Sequence, residues 1–211
     1  ALLTQFQVGY DMGLDAIHFV GKPDDIVAFL TLAAEKNRVD WLGSPLLINL
    51  LKELGIDIWF SVESTERTAA TAQILDGDLL SVVSGKHVIP QRDLLPTSVP
   101  AGIQQRGVDF GMDAATASRG VDIKLIRFST EILYGGRVAF TDGDVLRALT
   151  ANVEVFNDDL VNPFDPKASF LGLDALYMKI QSSNNIPPNG TDGKLYLPQI
   201  EVGQQARRGR S

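Results

Sequence analysis

Apolar positions fall into short runs punctuated by Gly, Pro and Asp, and most runs alternate with a period of two. Leu14-Asp15-Ala16-Ile17-His18-Phe19-Val20 ends at Gly21 and reads as a strand. Ile56, Ile58, Phe60 and Val62 alternate with the opposite face of a second strand. Leu79-Leu80-Ser81-Val82-Val83 reads as a third, and Ser84-Gly85 turns it into a fourth, Lys86-His87-Val88-Ile89, closed by Pro90. Residues 121–128, 145–149 and 153–156 give the same signal further on. Ala114-Ala115-Thr116-Ala117 fits helix as easily as strand.

Two stretches depart from the period of two. Pro23 followed by Asp24 and Asp25 makes a favourable helix start, and Ile26, Val27, Phe29, Leu30 and Ala33 supply an apolar face up to Asn37. A second helix is expected with Ser44 as its N-cap, Pro45 at its first position and Gly55 as its stop. Leu46, Leu47, Leu50, Leu51 and Leu54 form its buried stripe, and Trp41 lies in the connection. The two should form a hairpin packed on the sheet.

The strand pattern is written twice. Gly13-Leu14-Asp15-Ala16, Phe60-Ser61-Val62-Glu63 and Asp76-Gly77-Asp78-Leu79-Leu80 are followed in the same order by Gly111-Met112-Asp113-Ala114, Phe128-Ser129-Thr130-Glu131 and Asp142-Gly143-Asp144-Val145-Leu146. Gly172-Leu173-Asp174-Ala175-Leu176 opens a third copy. Asp76 to Asp93 and Asp142 to Asp159 are both 17 positions. Asp15 to Glu63 is 48 positions against 18 from Asp113 to Glu131, so the helical pair is an insertion into the first copy.

The expected fold is mainly β: two tandem β repeats, closed as a barrel or packed as a sandwich, with an inserted helical hairpin and an extended C-terminal tail. A duplicated β domain covers 1–181, with repeat one at 11–98, its helical insertion at 23–55, repeat two at 107–165 and a closing strand at 171–178. That strand should complete the sheet of a neighbouring unit and hide an open edge. A polar arm, 182–211, follows.

Composition narrows the function. A net charge of −7 argues against nucleic acid and anionic membrane as main partners. No cysteine is present, which removes disulfides, thiolate metal sites and a cysteine nucleophile. No apolar run approaches the roughly 20 residues needed to span a bilayer. The chain starts at Ala1 rather than Met, which fits either a terminus left by signal-peptide removal, and with it export to the periplasm or the extracellular space, or a trimmed chain.

Candidate chemistry is acidic. Asp76, Asp78, Asp142 and Asp144 are the candidate calcium ligands, since closely spaced carboxylates in a turn supply hard oxygens. Asp15, Glu63 and Asp93 could join the first motif, and Asp113, Glu131 and Asp159 the second. The competing reading is structural: Asp-Gly before a strand is a common turn whose Asp caps backbone amides. Neither motif continues as a full EF-hand loop.

The same acids admit a carboxylate-dependent hydrolase. His18, on an apolar strand, reads as a satisfied core or edge residue, and His87 as exposed beside a turn. Trp41, Trp59, Tyr134 and Tyr177 admit a sugar-binding face but suit a core better. Asn189-Gly190-Thr191 fits a glycosylation acceptor and also a turn.

The order Leu-Asp-Ala, Phe-Ser-x-acid, Asp-Gly-Asp resembles a tandem repeat of uncharacterised exported bacterial proteins, over roughly residues 11–178. The resemblance implies export and a β-rich repeat fold, and it implies no activity. The leading expectation is therefore a non-enzymatic exported accessory or structural subunit that works through protein–protein contacts in a larger assembly. Tyr196, Arg207, Arg208 and Arg210 of the polar arm are the candidate partner-binding residues. The alternatives are a calcium-stabilised binding module for a surface glycan or protein, and the hydrolase.

Overall fold

The computed structural model describes residues 13–41, 45–63, 74–102, 107–117, 122–161, 163, 172–173, 175–178 and 200–202. They form a mainly β structure with two four-stranded antiparallel sheets and few helices. The first sheet is β1 (Ile17–Val20), β2 (Asp57–Phe60), β3 (Leu79–Ser81) and β4 (Lys86–Ile89), with neighbours in chain order. The second is β5 (Ala114–Ala117), β6 (Ile126–Ser129), β7 (Val145–Arg147) and β8 (Val153–Val155), again in chain order.

Corresponding residues hold corresponding places. Ile17 pairs with Phe60 as Ala115 pairs with Phe128. Phe60 pairs with Leu80 as Phe128 pairs with Leu146. The register shifts between Leu79 and Leu80 in one sheet and between Val145 and Leu146 in the other.

The sheets do not close into a barrel. They share one core, to which the first contributes Trp59, Leu79 and Ile89 and the second Ile126, Phe128 and Leu146. The four residues of β5, Ala114-Ala115-Thr116-Ala117, are all buried, and the strand contacts both β1 and β9 (Leu176–Met178). Side chains this small let neighbouring backbones approach closely. The conformation left open by the sequence is settled as extended by pairing with β6.

The expectation that the third Leu-Asp-Ala strand completes a neighbouring sheet needs correction. β9 pairs instead with β10 (Ile200–Val202), antiparallel, in a two-stranded sheet of its own. Part of the expected polar arm is therefore strand, because Ile200-Glu201-Val202 alternates as a strand does. Leu173 and Leu176 pack with Ala114 and Val145 on the face of the second sheet away from the shared core.

Helix α1 (Pro23–Ala34) starts with Pro23 in its first turn and with Asp24 and Asp25 facing the positive end of its dipole. A short helix, α2 (Arg38–Trp41), follows. In α3 (Leu46–Leu54), Pro45 is the N-cap rather than the first helical residue, and Ser44 lies outside the described residues. Gly55 ends α3 at φ 66°, a left-handed conformation that costs glycine no Cβ clash. Phe29, Leu51 and Ile56 are the buried centre of this layer, packed with Phe19 and Ile58 of the first sheet and with Val82 just after β3. Two short helices, α4 (Gln91–Leu94) and α5 (Asn157–Val161), follow the last strand of each sheet.

Candidate metal centre

The two Asp-Gly-Asp turns divide their carboxylates between different tasks. Asp78 accepts from the Leu75 amide at 3.0 Å and the Gln91 amide at 2.8 Å. Asp144 accepts from Thr141 and Asn157 amides, both at 2.7 Å. Each is buried and fastens the turn to the segment after the hairpin, as a buried carboxylate requires. Asp78 also meets His87 Nε2 at 3.0 Å, so His87 is half-buried against it rather than free in solvent.

Asp76 faces elsewhere. Its amide and that of Gly77 donate to the Asp109 carboxylate, both at 3.1 Å. A Cβ on Gly77 would strike the Gln91 side chain, which itself reaches across the sheets. Gln91 Oε1 accepts from the Phe110 amide at 2.9 Å, and its Nε2 donates to the Gly111 carbonyl at 3.3 Å. The turn before β3 is thereby held against the segment that leads into β5.

That docking brings Asp15, Asp76 and Glu131 together, with candidate ligand oxygens all within 4.8 Å of one another. Asp15 stands just before β1, Asp76 in the turn before β3, and Glu131 just after β6. Gly111 (φ 65°) lies against Glu131, and a Cβ there would collide with its carboxylate.

Asp76 Oδ1 is buried and has no hydrogen-bond partner among the described residues. Burial pushes the Asp76 carboxyl up to about 8, and Glu131, Asp109, Asp15 and Asp113 push it the same way. A bound cation reverses both effects, since it compensates the desolvated charge and screens the repulsion.

The other candidates are not among the three clustered acids. Glu63 is exposed beside Gly13, and Asp93 sits on α4 beside Arg92. Asp113 and Asp142 both approach Gly172. Asp159 lies on α5. Asp174, Asn189, Tyr196, Arg207, Arg208 and Arg210 are outside the described residues.

The four candidate sugar-binding aromatics do not form one face. Trp59 is buried between the sheets, Trp41 is on α2, and Tyr134 stacks in a cluster with Phe110 and Phe140. Tyr177 is on β9. A cavity of about 440 Å³ lies against Tyr134, Phe140, Thr141, Asp144 and Phe156, and none of the three clustered acids lines it.

Sequence reasoning singled out Asp76 but paired it with Asp78. Glu131 was assigned to the second motif, because spacing along the chain carries no information about which copy a side chain faces. Compared with family models, curated proteins and solved structures, the chain matches none of them.

Proposed function

We propose that the chain is a calcium-stabilised binding module, in which a calcium ion held by Asp15, Asp76 and Glu131 ties the two sheets together. The observation that carries this reading is the convergence of two further carboxylates, Asp15 and Glu131, on Asp76, whose buried Oδ1 has no hydrogen-bond donor among the described residues. Calcium takes six to eight hard oxygens in flexible geometry, and three carboxylates leave room for water or a carbonyl to complete the shell. Magnesium demands near-ideal octahedral geometry and keeps its water, which suits such a loosely assembled set less well.

The two halves are fused copies of one sheet-forming unit, and the matched strand registers support that reading. In it the ion is a joint between copies: the first supplies Asp15 and Asp76, the second Glu131. Export fits a site of this kind, because weak calcium modules work at the millimolar calcium found outside cells.

Thermal unfolding in millimolar calcium, in magnesium and in chelator tests the proposal. Calcium raises the wild-type melting temperature more than magnesium does, and Asp76→Asn abolishes the response. A wild-type midpoint that calcium leaves unchanged overturns it. A carboxyl that keeps its proton up to about pH 8 would also suit a general acid, and hydrolysis of model glycosides that disappears in Asp76→Asn would favour the hydrolase instead.

A further inference from the structure

The two halves differ where the last strand of each sheet meets the helix after it. In the first half Asp78 accepts from two backbone amides and also meets the His87 ring at 3.0 Å. In the second, Asp144 accepts from the two corresponding amides, at 2.7 Å each. His87 pairs with Leu80, and Val153 with Leu146, so an apolar side chain stands at the position that the ring holds in the first half. Asp144 is 3% exposed and meets no basic side chain among the described residues. A carboxylate so deeply buried is normally paired.

Asp144 lines the cavity of about 440 Å³, a size typical of small-molecule sites, which run from roughly 300 to 1,000 Å³. Tyr134, Phe140 and Phe156 line it too, with Leu133 and a second acid, Asp158. The Tyr134 and Phe140 rings lie 5.8 Å apart, and the Tyr134 hydroxyl donates to the Ser98 carbonyl at 3.0 Å. What Tyr134 offers the cavity is therefore its ring. Phe156 is 56% exposed, so the cavity is open on its side.

Charge and rings together select the occupant. No basic residue lines the cavity among the described residues, and over 133–144 and 156–159 Asp142, Asp144, Asp158 and Asp159 stand against Arg137 alone. Aromatic faces attract a cation through the ring quadrupole. A primary ammonium brings three N–H donors that each need an acceptor once water is removed, and this lining is mostly carbon. A quaternary ammonium brings none. At the positions of Phe140, Phe156 and Asp158 the first half has Ile74, Pro90 and Arg92, as the matching amide bonds to Asp78 and Asp144 show. The repeat fold itself therefore does not require this combination.

We propose that the cavity binds a quaternary ammonium group, with Tyr134, Phe140 and Phe156 against its methyl groups and Asp144 and Asp158 supplying the opposing charge. The same two carboxylates disfavour a ligand that carries a phosphate beside the cation. None of Asp15, Asp76 and Glu131 lines the cavity, so the inference goes beyond the calcium reading and does not depend on it.

Isothermal titration calorimetry of the full chain with choline, in chelator, tests it. Choline binds the wild type, and its uncharged isostere, with carbon in place of nitrogen, binds at least about tenfold more weakly. Ethanolamine, the unmethylated analogue, and phosphocholine are both weaker than choline. Phe156→Leu keeps an apolar side chain without the ring, and Asp158→Lys reverses a charge. Each lowers the choline affinity at least about threefold and leaves the circular dichroism spectrum unchanged. Both residues are exposed, so neither change reaches the core. Asp76→Asn binds choline as the wild type does, so loss of this site and loss of the calcium response are separate results. A wild type that gives no heat with choline, an isostere or ethanolamine that binds as well as choline, or variants that bind it unchanged would each overturn the inference.

Discussion

Ser61 donates its hydroxyl to the Met112 carbonyl at 3.0 Å and accepts from the Ala16 amide at 2.9 Å. A single buried side chain thus joins the end of β2, the start of β1 and the segment that leads into β5. In the second half Ser129 donates to the Leu173 carbonyl at 3.3 Å. The Phe-Ser step is therefore a sheet-to-sheet fastener, used first between the two large sheets and again toward β9.

Ser61→Ala removes that fastener and leaves the Ala16 amide without the Ser61 acceptor in a buried setting. A cost of about 1–3 kcal/mol is expected by urea denaturation, because a buried polar group that loses its partner bears its desolvation penalty. A cost no larger than about 0.5 kcal/mol, typical of surface substitutions, would show that the contact does not hold the sheets together.

Without calcium, Asp76 makes stability fall as pH rises. Its carboxyl ordinarily titrates near 3.8 and is raised to about 8 in the fold, so between these values the folded chain binds the proton that the unfolded chain has released. Stability is fully present below about 4 and is lost as pH rises through about 8. Asp76→Asn should remove this dependence and raise the midpoint in chelator at pH 8.5. An identical pH profile in the variant would show that the carboxylate is not held neutral.

His18 acts in the opposite sense. Burial lowers it from 6.5 to about 4, and the Ala117 amide donates to Nε2 at 3.3 Å, a bond that only the unprotonated nitrogen can accept. Here the unfolded chain binds the extra proton. The neutral ring's contribution is present above about 6.5 and is lost as pH falls toward 4. His18→Gln, which keeps an acceptor, should flatten the acid limb of the profile between those values. An unchanged acid limb would count against burial of the neutral ring.

Ala115 lies in the shared core at 3% exposure, on a strand in contact with β1 and β9. Ala115→Leu should cost about 1–3 kcal/mol or more, since the added volume must separate close-packed backbones. Val27→Leu, on the open face of α1, should be nearly neutral by the same measurement. Equal effects at the two positions would mean that β5 is not tightly enclosed.

Much of the local structure was legible along the chain. Pro23 and Gly55 mark the helical layer, and Ile58 and Phe60 mark one face of β2, because these signals depend on residues a few positions apart. Ala114–Ala117 was not legible as strand, since alanine suits either conformation and pairing with β6 decides. Ile200-Glu201-Val202 is legible as strand from its alternation, but its pairing with β9 is not, because a partner more than 20 positions away leaves no local signal.

The sequence by itself determined that acids would recur at fixed steps of a twice-written β pattern, because a pattern of side chains is a property of neighbours along the backbone. Only the tertiary structure decided that Asp78 and Asp144 turn to backbone amides while Asp15 and Asp76 meet Glu131 from the other half. Convergence of that kind follows from how two sheets stack, through contacts such as Gln91 to Phe110, and no spacing within one copy encodes it.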